Sequence, residues 1–158
     1  MDVSLVQLQA QAQAVSRWLA EDNIGIKGTR MNIVDEFIAA INAADVDKIC
    51  GLLADDHVFI DSQGNRVSGA DELRAAWTGY FELFPDYHIE IEGLIDKGNI
   101  VSLWGFAAGT YRNLKGPEGP NHWRVPAAWI AVVHGATIRR WHIYADNQPV
   151  IEIIRRNA

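Results

Sequence analysis

Residues 71–95 read DELRAAWTGYFELFPDYHIEIEGLI, and the hydrophobic period changes within them. Leu73, Trp77, Tyr80, Phe81 and Phe84 recur at spacings of three and four, which is one face of a helix. Pro85 ends that helix, because it lacks an N–H and disfavours helical geometry in the residue before it. From Tyr87 the period is two: Tyr87, Ile89 and Ile91 alternate with His88, Glu90 and Glu92, the mark of a strand with two unlike faces. Everything beyond is strand-like, in segments 87–95, 100–112, 122–134 and 136–146. Lys97-Gly98-Asn99 and His134-Gly135 form tight reversals, and residues 113–121 a longer hairpin loop.

Upstream the pattern is mostly helical. Leu5, Leu8, Ala12, Val15 and Leu19 make one apolar stripe over residues 2–23, and Ser4 with Gln7 suits a capping box. Residues 25–30 read as a linker. Ile33, Phe37, Ile38 and Ile41 form the face of a second helix, and Val46, Ile49, Leu52 and Leu53 that of a third. Residues 57–61 are a short strand, ended by the turn residues Ser62-Gln63-Gly64-Asn65. Ser68 and Asp71 suit the next helix start. Helices first and strands last predict an α+β fold, with helices over one face of a curved antiparallel sheet. The expected organisation is an N-terminal helix and linker over 1–30 and one domain over 31–158.

Composition narrows the partners. The chain has 158 residues, 49% hydrophobic, with 6 Trp, 4 Tyr and 5 Phe, enough for one well-cored domain and incompatible with disorder. No apolar run reaches the ~18 residues of a membrane span, and the first residues lack the pattern of a signal peptide. The net charge of −6 repels nucleic acid phosphates. The single cysteine, Cys50, rules out an internal disulfide and a multi-cysteine zinc site, and points to a reducing cytoplasm. No spacing of His, Asp and Glu suggests a metal, and no glycine-rich loop suggests a nucleotide or other phosphate cofactor.

The element order and its punctuating residues resemble the nuclear transport factor 2-like superfamily, in its SnoaL-like polyketide cyclase and ketosteroid isomerase-related branch. The carrying residues are Ala54-Asp55-Asp56, Asp61 with Gly64, Gly69, Phe84-Pro85-Asp86, Gly98 with Val101, Gly109-Thr110, and Trp141 with Tyr144 and Asp146. The resemblance implies a cone whose concave sheet face and helices enclose one apolar pocket. Asp61, five residues after Asp56, matches the isomerases' catalytic aspartate.

Anchored there, strand alternation turns Phe59 and His57 inward with Asp61. It also turns in Val101, Leu103, Gly105 and Ala107, then Val125, Ala127 and Trp129, then Trp141, Ile143 and Ala145. Phe37, Phe59, Trp77, Tyr80, Leu103, Trp129, Trp141 and Ile143 are the expected ligand-lining set.

Asp61 and Asp146 are the candidate catalytic residues. A carboxylate among aromatic walls has its charged form disfavoured and so its pKa raised, which suits a general base beside a carbonyl. The competing reading makes Asp61 the cap of its own turn. Asp146 reaches the pocket only if a bulge breaks the alternation of its strand; otherwise it is a strand-end residue. His57, His88 and His134 read as structural or solvent-exposed; His122 flanks the long loop, where the same reading competes with a place at the mouth of the pocket.

Departures from the family pattern limit the chemistry. Phe37 stands where the isomerases carry an oxyanion-donating tyrosine, and Trp129 where they carry a protonated acid. Gly105, Ala107 and Ile143 replace the charged groups of the related epoxide hydrolases.

The leading expectation is a cofactor-independent proton-transfer enzyme, an isomerase, cyclase or lyase, acting on a small apolar carbonyl compound. The alternative is a non-catalytic small-molecule binder or a dimeric assembly module of the same fold. Trp104, Phe106, Ala128, Ile130 and Val132 fall on the outer sheet face, an apolar set that implies a homodimer.

Overall fold

The computed structural model describes residues 29–113 and 119–158. The predicted helix over 2–23, its apolar stripe and part of the long hairpin loop lie outside the described residues. Four α-helices are described: α1 (Thr29–Asn42), α2 (Val46–Gly51), α3 (Ala70–Leu83) and α4 (Gln148–Asn157). The strands are β1 (Leu53–Ile60), β2 (Arg66–Ser68), β3 (His88–Lys97), β4 (Ile100–Thr110), β5 (His122–His134) and β6 (Thr137–Ala145). They form one open, curved six-stranded sheet in the order β2-β1-β6-β5-β4-β3.

The change of period at Pro85 marks a real boundary. α3 stops at Leu83, and the Phe84 N–H closes its last turn on the Tyr80 carbonyl. The four long strands fall where alternation placed them. Along β5, Trp123, Val125, Ala127, Trp129, Ala131 and Val133 are buried while their neighbours are half-buried or exposed. Ile33, Val34, Phe37, Ala40 and Ile41 of α1 and Trp77 and Phe81 of α3 cover that inner face.

Several local expectations are corrected. The sheet is mixed, because β1 pairs parallel with β6, and every other pairing is antiparallel. Leu53 opens β1 instead of ending a helix, since α2 is only six residues long and Leu52 is its C-cap. β1 gains this length across a register shift between Leu53 and Val58, which pure alternation cannot anticipate. β2 is a three-residue edge strand between the turn at residues 62–65 and the next helix, and it takes in Ser68. The cap of α3 is Gly69 at φ 95°, with no side-chain cap bond, so Ser68 does not serve that role. α4 was not anticipated.

Candidate functional site

The inner face of the sheet and the helices over it build an aromatic interior. Phe37 of α1 meets Trp141 of β6 edge-on at 5.0 Å and Trp77 of α3 at 6.2 Å. Trp129 of β5 stacks on Trp141 at 6.4 Å, and Phe59 of β1 meets Trp77 at 5.8 Å. Phe37, Trp77, Leu103, Trp129 and Trp141 belong to one buried cluster, with Phe59, Tyr80 and Ile143 packed against it. The structure therefore brings the whole expected ligand-lining set together. The chain folds this way locally because strands β4 to β6 put every second residue on one concave face.

The cluster continues past the residues singled out in the sequence. Tyr80 and Tyr87 meet edge-on at 4.9 Å, and Trp123 packs on Phe84 and Tyr87. One more step of the β5 alternation reaches Trp123, so that residue was legible. Tyr87 was read only as the start of a strand. Burial pushes both the Tyr80 and Tyr87 hydroxyls well above the usual tyrosine range, so both stay protonated.

Three buried polar atoms of this interior have no hydrogen-bond partner among the described residues: Trp129 Nε1, Trp123 Nε1 and His57 Nε2. The His57 Nδ1–H donates to the Ile138 carbonyl at 2.7 Å, which leaves Nε2 as a buried acceptor. Burial holds the His57 pKa below the ordinary histidine value, against the opposing pull of the Ile138 carbonyl and the Asp56 charge.

The two carboxylates are bonded within their own turns. Asp61 Oδ1 accepts the backbone N–H groups of Gln63 and Asn65, both at 2.9 Å, and Oδ2 accepts the Asn65 side-chain amide at 2.9 Å. Its own N–H and carbonyl close the same turn, onto Asn65 and Gly64. These are the contacts of a turn cap. Asp146 is exposed, and its Oδ1 accepts the Gln148 N–H at the start of α4. Asp61→Ala is expected to lower unfolding stability by ~0.5–2 kcal/mol, the usual size of a lost cap, as read from urea unfolding. An unchanged midpoint would remove the cap assignment.

A second polar group was not read from the sequence as a unit. The Thr110 N–H and hydroxyl both donate to Asp86 at 2.6 Å, and Thr110 Oγ1 lies 2.9 Å from His122 Nδ1. With the hydroxyl proton committed to Asp86, His122 carries its proton on Nδ1. Thr110 and His122 face each other in the β4–β5 register, and flanking Gly109 and Trp123 are the inward pair. The triplet thus ties Asp86, just before β3, to the outer side of the sheet end. Among the described residues no group of His, Cys, Asp and Glu could hold a metal.

Solved structures share this architecture. One, named as a SnoaL-like polyketide cyclase from Shewanella denitrificans OS-217, superposes with a TM-score of 0.70 at 14% identity, covering 82% of this chain and 99% of that one. AclR from Streptomyces galilaeus, named as a hydroxylase, gives 0.64 at 19% identity, covering 80% and 81%. A protein with a ketosteroid isomerase-like fold from Catenulispora acidiphila DSM 44928, solved with trimethylamine, gives 0.62 at 19% identity, covering 71% and 83%. At these identities the likeness is one of fold. No functionally curated protein matches the chain. The model of the SnoaL-like domain matches residues 34–141, from α1 to the aromatic wall of β6, and the chain belongs to that family.

Proposed function

We propose that this SnoaL-like protein binds a small, neutral, largely apolar molecule inside the cone, with an acceptor oxygen of the ligand on the Trp129 indole N–H. The observation that carries this is the fully buried Trp129 Nε1, a donor without a partner among the described residues, set in a wall of aromatic rings. A buried donor left unpaired costs ~1–3 kcal/mol, which an acceptor brought by a ligand recovers. Trp77, Phe37 and Trp141 offer faces and edges to a flat ring system.

The contacts of Asp61 and Asp146 support this binding reading over proton transfer, because both carboxylates are engaged in capping turns. Phe37 supplies no hydrogen bond to a developing oxyanion. Trp129→Phe keeps an aromatic ring at this position and removes the donor. It is expected to weaken binding of a neutral aryl ketone such as 2-acetonaphthone about fivefold to tenfold, the worth of one hydrogen bond, as read by calorimetry. Equal affinity in both proteins would refute the assignment of Trp129. Turnover of a ketone that is lost in Asp61→Asn with the fold intact would restore the enzyme reading.

The same reading includes a homodimer formed through the outer sheet face. Trp104, Phe106, Ala128, Ile130 and Val132 are half-buried there, and Tyr144 beside them is 47% exposed. Cross-strand register sets Trp104, Ala128 and Tyr144 in one row, a band suited to a self-complementary contact. Trp104→Glu is expected to convert a dimer to monomer in sedimentation. A wild-type monomer at micromolar concentration would overturn this. The charge of −6 supports partners other than nucleic acid, and the single cysteine fits a reducing cytoplasm. No described helix is long and apolar enough to cross a membrane.

A further inference from the structure

We infer that α4 is an opening strap across one end of the cone, closed by a side-chain clasp between Asn157 and Asn121. The inference builds on the interior site proposed above, as the route by which a ligand reaches it.

The topology places the strap. β1 and β6 run parallel and end at Ile60 and Ala145, so both finish at one end of the sheet. β5 is antiparallel to β6 and begins at that end with His122, and β4 finishes there at Thr110. α4 starts beside the end of β1, where the Asn147 amide donates to Ser62 Oγ at 2.7 Å. It finishes at the β4–β5 connection. There the Asn157 amide donates to Asn121 Oδ1 at 3.0 Å, and Arg156 donates to the Pro120 carbonyl at 2.5 Å and to Asn121 Oδ1 at 3.2 Å.

The strap is held lightly. Val150 and Ile153 are its only buried side chains, resting on the core cluster, with Ile154 packed alongside. Gln148, Pro149, Glu152, Arg155 and Arg156 are exposed. Its first turn follows β6 directly and is fixed by the chain, whereas its last turn is held by the clasp, by Arg156 on the Pro120 carbonyl and by the burial of Ile153. Asn121 is itself buried, and Trp123, two residues further along β5, carries one of the unpartnered indole N–H groups. Release of the clasp lifts Ile153 and uncovers the Trp123 end of the interior. Segments that open in this way are those with few buried apolar contacts and polar, replaceable ties.

Indole N–H exchange into heavy water, followed by NMR, tests the strap without any ligand. In the Asn121→Ala, Asn157→Ala double variant, exchange at Trp123 and Trp129 is expected to quicken about tenfold. The backbone amides of Trp129 and Ala131, on the central strand, should keep their wild-type rates. Single Asn157→Ala should show the same pattern at smaller amplitude, which guards against misfolding of the double variant. Unchanged indole exchange would overturn the strap, and so would equal acceleration of indoles and strand amides, which marks general destabilisation. Adding 2-acetonaphthone to wild type then tests the binding reading separately, through protection of the Trp129 indole. A strap that opens without such protection leaves the device standing and removes the ligand.

Discussion

Gly105→Ala is expected to cost at least ~3 kcal/mol of stability and to lower the melting temperature by roughly 6–12 °C. A Cβ at position 105 would lie 1.9 Å from the Glu90 carbonyl oxygen and 3.0 Å from the Glu92 N, both backbone atoms of β3. Side chains can rotate away from a new methyl group, but a paired strand cannot. The crowding comes from the irregular register between Ile91 and Gly93, which presses β3 onto the inner side of β4. Relief requires β3 to part from β4, which breaks ladder hydrogen bonds along an edge strand. Gly79→Ala provides the control. It lies within α3 with open space around a new Cβ, so it should stabilise by ~0.5–1 kcal/mol through helix propensity alone. Calorimetric melts of both variants decide the matter: a Gly105→Ala protein as stable as wild type would mean that β3 is free to shift.

Acid should weaken the fold through His57. Its ring is 1% exposed, its Nδ1–H is bonded to Ile138, and a proton on Nε2 would be a buried charge without a partner among the described residues. Burial lowers its folded pKa below the unfolded value of ~6.5. Below pH ~6.5 the unfolded chain therefore takes up a proton that the folded chain refuses. Stability from this group is complete above that pH and declines as pH falls toward the folded pKa, by up to ~1.4 kcal/mol per pH unit. Urea unfolding at several pH values between 7.5 and 4.5 measures the slope. In His57→Gln the slope between pH 6.5 and 5 should flatten, although the variant is less stable at neutral pH. A wild-type slope that persists in the variant would assign the acid sensitivity to other groups.

The sequence was most informative where burial is one-sided. In β4 and β5 a residue faces either the helices or the outer side, and the burial follows period-two alternation from Val101 to Ala107 and from Trp123 to Val133. Phe37, Trp77, Trp129 and Trp141 were placed in one interior for the same reason, since each sits at the core-facing position of its element. Legibility failed for short or edge elements. β2 has three residues and no buried one, so it leaves almost no pattern. α4 buries only Val150 and Ile153, and Pro149 within its first turn resembles a helix breaker until the whole helix is seen, where it stands at a position proline tolerates.

Residues with two local readings divide along the same line. For Asp61 the sequence left both a pocket base and a turn cap open, because a carboxylate before Ser62-Gln63-Gly64-Asn65 suits either. Only the folded chain shows its oxygens on Gln63 and Asn65.

By itself the sequence determined the α+β class, the four long strands, the aromatic composition of the interior and the apolar outer band. Those follow from local periodicity, which one chain segment carries alone. The tertiary structure decided the parallel β1–β6 pair, the unpartnered Trp129 and His57 nitrogens, the Asp86–Thr110–His122 link and the Asn121–Asn157 clasp. Each of these joins groups from different elements, and a hydrogen bond is satisfied or left open by distances of a few ångströms that no spacing along the chain encodes.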